Sequence, residues 1–402
     1  MERISGVEAW RAVARALAAR FAPRAAIWDR ERRYCHDNVA EMAEAGVMGM
    51  TLPTALGGQG ASFLEAAVVV EELAKACTLS ARIAVEANMG GIAAVMAYGS
   101  EAQKRRAAEL VLAGDKPAIC ITEPEAGSAA GEMTTTAVRD GGGWRISGRK
   151  CWITGGGVSR LHLILAKAEE RNETPLGVAG FLVVADPEAG DWPAGFRVAR
   201  HERTLGLCGM PEAELHFDGL HVDDSMRLDA PGGFRDGFKA LMSAYNSQRV
   251  GAGAAALGVA QGAFDHARSY LLEREQFGRP LAEFQGLQWM LAEMDAKLHA
   301  SRLMLHEAAQ SRGPEGLFPD RAMAARAKLF ATQAAIAVVN DALQMHGARG
   351  YGSETPLERM YRDVRMFTIG GGTAEILRTQ LAGRLLDIPT PQTREGQAAL
   401  GA

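Results

Sequence analysis

Cysteine is scarce and poorly placed for cross-linking. The five residues Cys35, Cys77, Cys120, Cys151 and Cys208 are odd in number and widely spaced, with no Cys-x-x-Cys. That pattern excludes a disulfide framework and a cysteine-based zinc site, and buried thiols in a reducing compartment are expected. A charge excess is missing too. Lys and Arg number 44 against 48 Asp and Glu, a net charge of −4, so the global electrostatics favour neither nucleic acid nor an anionic membrane. No apolar run approaches the ~18 residues of a membrane span. Met1 to Arg24 mixes charges with alanines, unlike the apolar segment of a signal peptide, so a cytoplasmic protein is expected. There are no low-complexity tracts and no evident internal repeats, and no metal site is expected.

What is present is a long chain whose character changes twice. At ~100–200 residues per domain, 402 residues make two or three domains. Residues 1–118 read as helical, with apolar spacing of helical period at Phe63 to Cys77 and Glu101 to Leu112. Residues 119–230 hold short apolar runs between turn residues, and Leu161 to Ala166, Gly180 to Val184 and Ala213 to Phe217 read as strands. Helical periodicity returns over 231–388, in Gly251 to Leu272, Leu287 to Ala309 and Ala322 to His346. Residues 389–402 read as a loose tail. Helices, then strands, then helices make an α+β protein in segregated layers.

Four motifs carry chemistry. Ile119-Cys120-Ile121-Thr122-Glu123-Pro124-Glu125-Ala126-Gly127-Ser128 is a strand entering a Pro- and Gly-shaped loop, able to offer N–H and hydroxyl groups to a ligand. Lys150-Cys151-Trp152-Ile153-Thr154-Gly155 places an aromatic and a hydroxyl on one strand, suited to the face and edge of a conjugated ring. Arg274-Glu275-Gln276-Phe277-Gly278 follows a long helix and is a plausible phosphate clasp. Gln344, His346 and Gly347 lead to Ile369-Gly370-Gly371-Gly372-Thr373-Ala374-Glu375, a glycine triplet before a helix that Thr373 caps. Each alone would pass for a turn, a core aromatic or a solvated helix end.

In order and spacing, the four motifs together resemble the acyl-CoA dehydrogenase family over residues 30–387. The resemblance implies an N-terminal helical domain, a β-barrel-like middle domain and a C-terminal four-helix bundle. It also implies a homotetramer and FAD bound between the last two domains. It places Ile119, Ile121, Thr122, Gly127 and Ser128 in a loop at the flavin, with Trp152, Ile153 and Thr154 on the strand beside it. Gly371, Gly372, Thr373 and Glu375 form the second flavin loop. Arg274, Phe277, Gln344 and Gly347 reach the FAD of a neighbouring subunit. Ser128, Tyr245, Asn246, Gln248 and Arg249 line the acyl-CoA channel.

Dehydrogenases of this family use a glutamate to remove the α-proton, a task that needs a carboxylate within reach of the carbon. Of the two positions where the family places it, one holds Gly371 and the other Gln248. An amide does not accept a proton at neutral pH. If another group replaces the base, Glu86, Glu375 and His346 are the candidates. Arg82 sits in the apolar run Ser80-Ala81-Arg82-Ile83-Ala84-Val85-Glu86. It either pairs with Glu86 on a helix surface, or points into the acyl pocket and grips an anionic acyl end. Arg82, Gln248, Gly371 and the segments Val47 to Pro53, Lys116 to Cys120 and Leu241 to Asn246 resemble the 3-sulfinopropionyl-CoA desulfinase branch. That resemblance implies sulfite release from the acyl-CoA without net oxidation, a sulfinate-binding role for Arg82, a substrate contact for Gln248, and no need for an electron-transfer partner. A dehydrogenase with a relocated base, or a flavin protein that only binds acyl-CoA, are the alternatives.

Overall fold

The computed structural model describes the chain except for residues 1, 2, 315, 395, 397 and 399–402. Six helices come first: α1 (Val7–Glu31), α2 (His36–Glu44), α3 (Phe63–Ala74), α4 (Thr78–Asn88), α5 (Gly91–Tyr98) and α6 (Glu101–Leu112). Seven strands follow: β1 (Ala118–Cys120), β2 (Thr136–Asp140), β3 (Gly143–Thr154), β4 (Leu161–Glu169), β5 (Pro175–Val184), β6 (Phe196–His201) and β7 (Glu212–Asp223). The long helix α7 (Gly233–Glu273) then runs into a hairpin of β8 (Glu275–Gln276) and β9 (Arg279–Pro280). Helices α8 (Gln285–Gln310), α9 (Arg321–His346), α10 (Ala348–Tyr351), α11 (Leu357–Val364) and α12 (Ala374–Leu386) complete the chain.

Local chemistry sets several of these boundaries. Ser62 and Ser100 open α3 and α6 through capping boxes with Glu65 and Gln103. Asp320 accepts from the first amides of α9. The expected helix Phe63 to Cys77 ends at Ala74, and the chain re-enters helix at Thr78. Every residue of α4 is buried, which removes the reading of Arg82 as a helix-surface residue.

The seven strands form one sheet in the order β1-β4-β2-β3-β7-β6, with β5 paired to β4. Strand β4 runs parallel to β1 and β2, and the other pairings are antiparallel. A core of its own, with Trp144, Phe181, Phe196 and Phe217, fills one side. The register of β3 against β7 slips between Lys150 and Ile153, and Trp152 there has a φ of +56°. This bulge re-aims one side chain outward.

The helical parts share a second, larger core. The small-residue half of α7 packs on α3 and α4 as its composition requires. A Cβ at Gly258 would stand 2.2 Å from the Glu71 carbonyl oxygen, so only glycine lets the two helices approach this closely. Helix α9 is long and apolar enough to cross a membrane by length and composition, yet it packs against α7, α8, α11 and α12 and carries a fully buried lysine.

Candidate active site

Buried ionic side chains converge where α4, β1, β3 and β7 meet. One Glu86 oxygen takes the Arg82 guanidinium at 2.8 Å, and the other takes the ammonium of Lys116. Lys116 also donates to the Thr154 backbone oxygen at 3.1 Å. The expected Arg82–Glu86 pair therefore exists, but inside the protein. Arg82 is 8% exposed, and its Nε is buried without a hydrogen-bond partner. A guanidinium has five donors, so Arg82 keeps capacity for a second anion. Glu86 has both oxygens engaged by cations and is not a free base.

The neighbouring carboxyl is Glu212, at the first position of β7. The Thr154 hydroxyl donates to it, at 2.9 and 3.0 Å from its two oxygens. Protein atoms crowd this carboxyl although part of the residue stays accessible. Burial pushes its pKa up to about 7, against the opposing pull of Arg82 and Thr154.

The glycine triplet closes the other side. Lys328, fully buried in α9, donates from Nζ to the carbonyls of Gly370 and Gly372 at 2.7 Å each. Burial, with Arg249 and Arg82 nearby, pushes its pKa down to about 7. Gly371 has a φ of +73°, and a Cβ there would lie 3.7 Å from the Lys328 Nζ and 3.9 Å from a Tyr245 ring carbon. The position expected to lack a base thus faces a lysine. Asn246 accepts from Arg249 at 2.9 Å, while Arg249 Nε and Gln248 Oε1 are buried without partners. Burial lowers the pKa of Arg249 to about 10.

Two substitute bases named from the sequence lie elsewhere. Glu375 is exposed and paired with Arg378 at 3.2 Å. His346 stacks on Tyr270 and bonds the Ala342 carbonyl through Nδ1. Glu375 sits in the first turn of α12, where a carboxylate complements the helix dipole. The carboxylate that does face the cluster, Glu212, lies one residue before the expected strand Ala213 to Phe217, which in the structure begins at Glu212. Alternation puts Glu212 on the face opposite Ala213 and Leu215, and the site covers that face locally. Lys116 and Lys328 were missed as well. A lone lysine inside the apolar run of α9 was the available signal for Lys328.

The residues assigned to a cofactor divide by exposure. Trp152 is 56% exposed on the bulge, with part-buried Thr154 two residues on. Ile119, Ile121 and Thr122 are part-buried, and Gly127 and Ser128 exposed. Ile153 needs correction: its side chain is inside the sheet core at 1% exposure, so only its backbone can face a ligand. Thr373 caps α12 by accepting from the Ile376 amide at 3.2 Å. Arg274 and Phe277 stand exposed at the α7–β8–β9 hairpin, and Gln344 and Gly347 are exposed at the end of α9. An outward indole, a hydroxyl beside it, open glycine loops and a capped helix N-terminus fit a flavin dinucleotide.

The comparisons with known proteins agree over nearly the whole chain. Models of the acyl-CoA dehydrogenase N-terminal, middle and C-terminal domains match residues 7–115, 118–220 and 235–386. The 3-sulfinopropanoyl-CoA desulfinase of Variovorax paradoxus is 55% identical over 390 residues, 97% of this chain and 96% of that protein. Butyryl-CoA dehydrogenase from Megasphaera elsdenii superposes with a TM-score of 0.87 at 28% identity, over 96% of this chain and 100% of that one. A glutaryl-CoA dehydrogenase from Mycobacterium smegmatis in complex with FADH2 gives 0.85 at 25% identity, covering 94% of each chain. With all three domain models matched in order and the site assembled between them, the chain belongs to the acyl-CoA dehydrogenase family.

Proposed function

We propose that the protein is an FAD-containing desulfinase that converts 3-sulfinopropionyl-CoA and water to propionyl-CoA and sulfite, a hydrolytic C–S cleavage. The observation that carries this reading is Arg82, a buried guanidinium with unused donors in a site where Gly371 and Gln248 occupy the family's base positions. A planar fork of donors suits a sulfinate. Arg249, still charged at neutral pH with its pKa at about 10, adds positive charge nearby.

The cofactor is FAD, as for the family. When bound, it supplies a flat conjugated wall and the ribityl hydroxyls of its chain. The residues that would hold it are Ile119, Ile121, Thr122, Gly127, Ser128, Trp152, Thr154 and the loop Gly371 to Glu375, with Ile153 contributing backbone. Arg274, Phe277, Gln344 and Gly347 would complete the site of a neighbouring subunit in a homotetramer. Ser128, Tyr245, Asn246, Gln248 and Arg249 would line the acyl-CoA channel. Amides of the loop from Gly371 to Glu375 would hold the thioester carbonyl, and Arg82 would neutralise and orient the sulfinate. No electrons leave in the balanced reaction, so no electron-transfer partner is needed. The five free cysteines suit the cytoplasm.

The test is direct. Purified holoenzyme is given 3-sulfinopropionyl-CoA and sulfite is measured; in parallel, butyryl-, propionyl- and succinyl-CoA are offered with a dye acceptor. Sulfite without dye reduction supports the reading. Dye reduction without sulfite makes the protein a dehydrogenase whose base lies at neither Gly371 nor Gln248.

A further inference from the structure

The roles assigned so far leave Glu212 unused, although it is built into the site. Thr154 and Glu212 are register partners across β3 and β7, and the hydroxyl of one bonds the carboxyl of the other. A continuous polar path joins Arg82, Glu86, Lys116, Thr154 and Glu212. Glu86 is held by two cations on this path, and Lys328 is tied to two carbonyls. Glu212 has no ion-pair partner among the described residues, so no salt bridge locks its proton.

The proposed desulfination has to move one proton. The water oxygen bonds to sulfur, the C–S bond breaks with its electron pair going to carbon, and that carbon takes a proton. One proton therefore leaves water as one arrives at carbon, and the products are the propionyl ester and hydrogen sulfite. A single group that accepts and then donates satisfies both halves, and it works best with a pKa near the operating pH.

We propose that Glu212, coupled to Thr154, is the proton-exchanging residue of the desulfination: its carboxylate takes the proton of the attacking water and its acid form returns one to the carbon that sulfur leaves. This rests on the desulfinase reading. The charged and titratable groups around it are Arg82 and Glu86 from α4, Lys116 before β1, Tyr245 from α7 and, further off, Lys328 from α9. Burial among them raises the carboxyl into the neutral range.

The test uses the holoenzyme with Glu212→Gln, which keeps the size and an acceptor for the Thr154 hydroxyl. FAD content is checked by the visible spectrum. Expected are a fall in sulfite release of about 100-fold or more and loss of the limb near neutrality from the pH–rate profile. In the infrared, the wild-type-minus-variant difference should show a carboxylic C=O band that titrates near neutrality. A variant with the wild-type rate and pH profile overturns the proposal. Should Glu212→Gln lose FAD, Glu212→Asp serves instead: a shifted pH limb supports the role, and an unmoved limb overturns it. Absence of sulfite release from wild type is a separate outcome, which removes the desulfinase reading and this role with it.

Discussion

Arg82 and Glu212 carry opposite electrostatic demands within one site. Arg82 is held by Glu86 through one hydrogen bond, and its remaining donors can close on a planar anion. Arg82→Lys keeps the charge and removes the fork. A charge-assisted hydrogen bond contributes about 1.5–3 kcal/mol, so kcat/KM for sulfite release should fall about 10–100-fold with FAD content unchanged. Undiminished kcat/KM would show that charge alone suffices and that the bidentate role is wrong. Glu212 acts on stability with the opposite sign to an ion-paired carboxylate. Its carboxyl titrates near 4.5 when unfolded and at about 7 when folded. The folded state thus binds the extra proton between those values, and stability falls as pH rises through that window. The full cost once ionised is about 3 kcal/mol. Glu212→Gln cannot ionise, so its melting temperature should gain on that of wild type from pH 5 to pH 8. Parallel melting curves across that range would show that the carboxyl is not raised.

At the level of elements, α9 does more than fill the bundle. Its Lys328 ties the carbonyls of Gly370 and Gly372, so a helix fixes the conformation of a loop with no side chains of its own. Lys328→Met removes both bonds. Amide exchange over Gly370 to Thr373 should then speed up about 10–100-fold, the equivalent of 1.5–3 kcal/mol of charged hydrogen bonding. The rest of α9 should keep its protection, and exchange read by mass spectrometry separates the two. Much of this framework was legible beforehand. Helical period placed α6, α8 and α9 nearly to their ends, and the order and spacing of the motifs placed the fold. What the sequence hid was pairing at a distance. Lys116 meets Glu86 across 30 residues, and no local pattern marks that. Glu212 lies one residue before the expected strand Ala213 to Phe217, and alternation assigns a face without saying what covers it. Glu375 and His346 were plausible by chemistry and wrong by direction.

For the whole molecule, the proposed homotetramer makes a prediction at the surface of the C-terminal bundle. Phe277 is 93% exposed with a φ of +56°, in a hairpin where Gly278 also has positive φ. A non-glycine residue held in that region is strained, and an aromatic in water gains nothing to offset it. The arrangement makes sense if a neighbouring subunit or its cofactor covers the ring. Fully burying a large apolar side chain contributes about 1.5–3 kcal/mol. Phe277→Ala should therefore weaken FAD retention about 10–100-fold while the isolated chain keeps its fold, since the ring touches little within its own subunit beyond an edge contact with Phe284. Light scattering on a sizing column, with flavin absorbance recorded, reads assembly and cofactor together. Wild type should elute as a flavin-loaded oligomer, and on dilution FAD should leave as the subunits part. Tight FAD on a monomer would show that each chain builds its cofactor site alone, and would remove Arg274, Phe277, Gln344 and Gly347 from a neighbour's site.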